Sequence, residues 1–177
     1  MDDPTGRPTA LLLLRHGIAE ERGGGRPDAE RALTDRGRRR TEAVARRLAD
    51  LGLAVDRLLS SPLVRARQTA EIAVAAGLAP GLGLCGALAP GVDPLPQLQE
   101  WWCTPSPAGQ DRWRLGLVGH EPDLGRLAAR LIGAAAGTIS LRKAGVALLD
   151  LEHAEEAGGT APRAILRLLL SPRVLLT

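Results

Sequence analysis

Short aliphatic runs alternate along this chain with stretches whose apolar residues recur every three or four positions. That alternation predicts an α/β domain built on a mainly parallel sheet. Residues 10–14 are wholly apolar and end at a polar pair, as in a buried central strand. Further strands are predicted at 57–60 and 115–118, a weaker one at 82–88, and a final pair at 146–151 and 164–170. Helices are predicted over 35–51, 62–76, 95–103 and 122–132. Thr34 reads as the N-cap of the first helix, with Val44, Leu48 and Leu51 as its buried stripe. Ser61 followed by Pro62 reads as the cap and first position of the second, and Gly52 and Gly77 as stops. Residues 24–33, 104–110, 133–137 and 153–163 read as loops or turns. The chain shows no internal repeat and no linker, so residues 1–177 are expected to form one domain, with 1–9 as a flexible N-terminal segment.

Composition narrows the picture. Hydrophobic residues make up 45% and charged residues 24%, the balance of a globular protein with a real core. With three Trp and neither Phe nor Tyr, that core must be built from Leu, Val, Ile and Ala. The net charge of +3 and a pI near 9.6 raise the question of nucleic-acid or membrane binding. Against both, the Arg residues are interspersed with Asp and Glu, and stacking aromatics are scarce. The densest cluster, Arg36 to Arg40, falls on the outer faces of a predicted helix. Neither nucleic acid nor membrane is therefore expected as a partner. Cys85 and Cys103 lack the spacing of a disulfide framework or metal site and read as reduced thiols. The first ten residues are polar and unlike a signal peptide, and the apolar runs are too short to cross a bilayer. A cytoplasmic location is the resulting expectation.

The informative residues stand at strand ends. Arg15 and His16 follow the first strand, Ser60, Ser61 and Arg65 lie where the second meets its helix, and His120 follows the strand at 115–118. Open parallel sheets bind ligands outside the carboxyl ends of their strands, so these groups are expected to converge. Two Arg and two His suit a dianionic phosphoryl group, because each guanidinium holds two oxygens in a fork and stays charged. A helix N-terminus adds N–H donors, and a neutral imidazole can attack phosphorus. No carboxylate cluster points to Mg²⁺, so neither metal nor other cofactor is expected, and the cations must stabilise the developing charge. His153 carries no motif and reads as a surface residue, and Arg67 as an exposed helical one. Glu20 and Glu121 flank the proposed pocket, and Trp101, Trp102 and Trp113 read as core.

Three segments, in order, resemble the histidine phosphatase superfamily: Leu14-Arg15-His16-Gly17, then Ser60-Ser61-Pro62-Leu63-Val64-Arg65-Ala66-Arg67-Gln68-Thr69-Ala70, then Val118-Gly119-His120. The resemblance runs from about residue 10 to about 151. It implies the phosphoglycerate mutase-like fold, a three-layer sandwich with helices flanking the sheet. It also implies a metal-independent phosphatase with His16 as nucleophile, Arg15 and Arg65 clamping phosphate and His120 as the second pocket His. Gly17 and Glu121 would lie against the substrate. Residues 15–20, 33–37 and 119–124 are similar to the SixA-like branch, whose members act on phosphohistidine in proteins. One departure concerns the acid that many phosphomonoesterases of the superfamily carry after the third strand. The stretch Gly86-Ala87-Leu88-Ala89-Pro90 has none, and Asp93 and Glu100 are the nearest carboxylates. A P–N bond needs less help, since the leaving imidazole can be protonated near neutral pH. The implied partner is a phosphohistidine-bearing protein. The rivals are a phosphatase of small esters, such as sugar or nucleotide phosphates, and a phosphoprotein-binding module without turnover.

Overall fold

The computed structural model describes residues 7–23, 25, 27–102, 106, 112–152 and 163–177. Six strands form one sheet: β1 (Pro8–Arg15), β2 (Arg57–Ser60), β3 (Leu82–Leu84), β4 (Trp113–Gly119), β5 (Val146–Glu152) and β6 (Arg163–Leu170). Their order is β3-β2-β4-β1-β5-β6. The first three neighbouring pairs run parallel, while β5 is antiparallel to β1 and β6 to β5. The sheet is mainly parallel, as the alternating pattern predicts.

Because β1 lies inside the sheet, its alternate residues serve two cores. Leu11 and Leu13 join Leu115 and Leu117 on one face, under α3 (Leu95–Trp102) and α4 (Asp123–Leu131). Leu12 and Leu14 join Leu58 and Val118 on the other, under α1 (Asp35–Asp50), α2 (Val64–Ala75) and α5 (Pro172–Leu175). The result is the three-layer α/β sandwich. Trp101 and Trp113 belong to the first core. No helix among the described residues is long and apolar enough to cross a membrane.

Helix α1 starts where its cap predicts, with Thr34 Oγ1 accepting from Gly37 N–H at 3.0 Å. Its stripe differs from expectation. Val44 and Leu48 are buried, but Leu51 is 47% exposed, because the helix ends at Asp50 and the chain turns away. Gly37, Thr41 and Ala45 complete the buried face instead. A Cβ on Gly37 would stand 2.0 Å from the Ile18 carbonyl oxygen, so only glycine lets the helix approach the loop after β1 this closely.

Ser61 is not the cap of α2. Its N–H donates to the Val118 carbonyl, which keeps it on the sheet, and the helix begins only at Val64, with Leu63 at the N-cap position and no side-chain cap. Strand β3 is three residues long and gives way to a 3-10 turn at Gly86–Leu88. Short α5 was not foreseen; Leu175 seals the second core. Pro8 and Thr9 belong to β1 rather than to a flexible leader, while residues 1–6 lie outside the described set. Cys103, His153 and most of 104–110 lie outside it too.

Candidate active site

Strands β2, β4 and β1 end side by side. Arg15 pairs with Gly119 across β1 and β4, and Ser60 with Val118 across β2 and β4. His16 N–H donates to the Gly119 carbonyl at 3.0 Å, extending that register by one residue. The shared strand ends bring His16 and His120 together with ring centroids 5.1 Å apart. A cleft of about 400 Å³ opens here, lined by Arg15, His16, Arg65, His120 and Glu121 among others. The residues expected from the strand ends therefore do converge.

His16 is 7% exposed, and its Nδ1 lies 2.8 Å from the Gly17 carbonyl oxygen. A carbonyl can only accept, so Nδ1 carries the proton and Nε2 keeps its lone pair. Burial pushes the His16 pKa down to about 3; the Gly17 carbonyl opposes this, and His120, Arg65 and Arg15 reinforce it. His120 falls to about 4, through burial and then the charge of Arg65. Both imidazoles are neutral at ordinary pH.

Each arginine is held by one edge. Arg15 Nη1 donates to the Leu141 carbonyl at 2.7 Å. Arg65, 2% exposed, donates through Nη1 to the Asp28 carbonyl at 2.7 Å and through Nη2 to Asp28 Oδ2 at 3.0 Å. His120 Nε2 lies 2.9 Å from Ser61 Oγ. Among the described residues, the buried side-chain polar atoms without a partner are Arg15 Nε, Arg65 Nε, His120 Nδ1 and Thr41 Oγ1. Three of the four belong to this cleft. Leaving a buried donor unmatched costs about 1–3 kcal/mol, and more for a charged group. The two arginine Nε–H groups beside a neutral imidazole make chemical sense as donors to a bound anion.

Gly17 acts through its backbone. Its N–H donates to Thr69 Oγ1 at 3.0 Å, and the Thr69 hydroxyl donates in turn to the Arg65 carbonyl at 2.7 Å. The loop after β1 is thus tied to the first turn of α2. A Cβ at Gly17 would lie 2.3 Å from Thr41 Oγ1. Glu121 lines the cleft, but its Oε1 accepts from Leu141 N–H at 3.2 Å. Burial raises its pKa, while the Leu141 N–H, Arg15 and the Gly125 N–H pull the other way. Neither Asp93 nor Glu100 lines the cleft. Asp93 pairs with Arg130 at 2.7 Å beside a separate cavity, and Glu100 bonds Gln97 on an exposed face. Arg67 pairs with Glu71 at 3.5 Å on the outside of α2, as its position predicts.

Sequence reasoning missed the rim. Arg22, Arg31 and Lys143 line the cleft from loops, where no strand end marks them. Asp28 binds Arg22, Arg31 and Arg65 at 3.1, 2.8 and 3.0 Å. Against a burial penalty that would raise it, those contacts bring the Asp28 pKa down to about 2. Pro90, at the end of the stretch where an acid was sought, also faces the cleft. Among the described residues no group of His, Cys, Asp and Glu is arranged to hold a metal ion.

Comparison with known proteins bears on the family and the fold. A family profile described as histidine phosphatase superfamily (branch 1) matches residues 11–82. An uncharacterized protein of Picosynechococcus sp. is 42% identical over 140 residues, 77% of this chain and 81% of that protein. The mitochondrial serine/threonine-protein phosphatase Pgam5 of Drosophila ananassae is 40% identical over 62 residues, only 21% of its length and 35% of this chain. Among solved structures, one assigned as the phosphohistidine phosphatase SixA of Agrobacterium tumefaciens superposes with a TM-score of 0.70 at 27% identity, covering 93% of this chain and 99% of its own. A protein histidine phosphatase SixA complexed with tungstate shares the fold at a TM-score of 0.75 and 24% identity, covering 94% and 99%.

Proposed function

The chain belongs to the histidine phosphatase superfamily, and from that premise we propose that it dephosphorylates phosphohistidine in a partner protein through a phosphorylated His16. The observation that carries the reading is a neutral, buried His16 with Nε2 free, set among the unpartnered Nε–H donors of Arg15 and Arg65 and the unpartnered Nδ1 of His120. The substrate phosphoryl group lies against Arg15, Arg65 and His120. His16 Nε2 attacks phosphorus in line; the new N–P bond forms as the substrate's P–N bond breaks, and the departing imidazole takes a proton from solvent. Water then attacks the phosphorus of phospho-His16, its N–P bond breaks, and inorganic phosphate leaves. The buried guanidinium of Arg65 and the half-buried one of Arg15 stabilise charge on the equatorial oxygens in both steps, so no metal is required.

Two features favour phosphohistidine over alkyl esters. The turn after β3 presents Pro90 where an acid would protonate an ester oxygen, and neither Asp93 nor Glu100 lines the cleft. An imidazole leaving group titrates near neutrality and needs no such acid. Hydrolysis of small phosphate esters has one observation on its side, the raised pKa of Glu121 inside the cleft. That carboxylate, however, already receives the Leu141 N–H. A module that only binds phosphoproteins would have no use for a nucleophile held neutral.

Phosphate release from a phosphohistidine-bearing protein, run beside an aryl phosphate and with His16→Ala as control, tests the proposal. Preference for phosphohistidine, abolished in the variant, is the expected result. Equal or faster ester cleavage would reassign the substrate to small esters, and full activity in His16→Ala would overturn the mechanism.

A further inference from the structure

Ser61 is wholly buried, and its motif position alone marks it as a helix cap, a role the structure denies it. Its backbone is pinned to β4 through Ser61 N–H to the Val118 carbonyl, so the side chain points where the sheet dictates. Its Oγ accepts from Leu63 N–H at 3.3 Å and lies 2.9 Å from His120 Nε2. The hydroxyl proton has no other acceptor among the hydrogen bonds of the described residues.

We propose that Ser61 is a positioning residue: it donates its hydroxyl proton to His120 Nε2 and so fixes His120 as the Nδ1–H tautomer, presenting that N–H to the phosphoryl oxygens. The inference rests on the phosphatase reading of the cleft and assigns the reason His120 can serve it.

Satisfying the buried groups decides the direction of the bond. If Nε2–H donated to Ser61, the serine oxygen would receive two hydrogens, from His120 and Leu63. Its own proton would then be buried without an acceptor, and Nδ1 would be a buried, bare lone pair. Two groups would be left unmatched, and the lone pair would repel a phosphoryl oxygen. If Ser61 donates instead, every group in the chain Leu63 N–H, Ser61 Oγ–H, His120 Nε2 is matched. Only Nδ1–H remains open, and it is one of the buried atoms without a protein partner. That open group is then a donor, as a dianion requires. The backbone of His120 is fixed too, since its carbonyl accepts from Leu124 N–H at 2.9 Å at the start of α4. The ring cannot swing to offer the other nitrogen without breaking the serine contact. Burial keeps the ring neutral, so its tautomer, rather than its charge, decides what it offers.

The test reads the tautomer directly. Two-bond proton–nitrogen NMR spectra of ¹⁵N-histidine-labelled protein distinguish Nδ1–H from Nε2–H. The chain has three His, so His16→Gln and His153→Gln variants assign the His120 signals. The expected wild-type pattern is Nδ1–H at His120. Ser61→Ala, which removes only a hydroxyl, should shift His120 toward Nε2–H. It should also weaken binding of inorganic phosphate by about tenfold, the scale of one hydrogen bond to an anion. Ser61→Thr, which restores a hydroxyl, should return the Nδ1–H pattern. A wild-type ring reading as Nε2–H overturns the proposal without any variant. Unchanged tautomer and phosphate affinity in Ser61→Ala overturn it as well. If the tautomer behaves as expected but neither phosphohistidine nor aryl phosphate is turned over, the role of Ser61 stands and the phosphatase reading fails.

Discussion

A histidine held near pKa 3 inside a fold makes that fold sensitive to acid. The unfolded chain titrates His16 at 6.5, whereas the folded one holds His16 neutral to about 3 and His120 to about 4. Between those limits the unfolded state binds more protons, so stability must rise with pH. It is greatest above pH 6.5 and falls as the pH drops toward 4, at roughly 1.4 kcal/mol per unit for each such His. Urea unfolding across that range should show the slope, and His16→Asn should roughly halve it, leaving the part due to His120. Arg65 is a different case. Lysine keeps a positive charge but has no fork and no Nε–H, so Arg65→Lys should lower turnover by about 10²–10³-fold while the circular dichroism spectrum stays that of the wild type. The identity of these residues was legible because each follows an apolar run that ends abruptly. Their state was not. The neutrality of His16 and the free Nε of each arginine arise from burial by residues distant in the chain, such as Leu141 above Arg15 and Asp28 beside Arg65.

Elements carry the site through their spacing. Helix α1 reaches the loop that holds His16 because Gly37 has no side chain, and its cap at Thr34 fixes where the first turn begins. Thr34→Ala should cost about 1 kcal/mol in chemical denaturation. Gly37→Ala should cost about 1–3 kcal/mol and also lower turnover, because the atom it meets is the backbone of Ile18, two residues from His16. Helix boundaries were readable from Thr34, Gly52 and Gly77, each of which acts locally. The start of α2 was not, since Ser61 is held on the sheet by a carbonyl of β4, a strand more than fifty residues away. Strand β3 was overextended for a similar reason: residues 82–88 are apolar enough for a strand, yet pairing with β2 stops at Leu84.

At the scale of the molecule, one sheet divides two aliphatic cores, and the chemistry sits on the edge where its parallel strands end. Leu117 in β4 is fully buried and does not line the cleft. Leu117→Ala should cost about 2–5 kcal/mol, seen as a lower urea midpoint. The layered α/β architecture was legible from alternating periodicity, but the strand order was not, because β5 is as apolar as the parallel strands and gives no sign of running the other way. The rim was illegible too. Arg22, Arg31 and Lys143 come from connections whose composition resembles any solvated loop. Lys143 is nonetheless singular, being the only lysine in the sequence and an exposed residue at the mouth of the cleft. An amine-directed fluorophore would therefore have one side-chain target in the whole chain, and that target stands at the entrance to the candidate active site. The protein thus carries its own attachment point for an optical sensor of occupancy, with no cysteine to introduce and no surface lysines to remove.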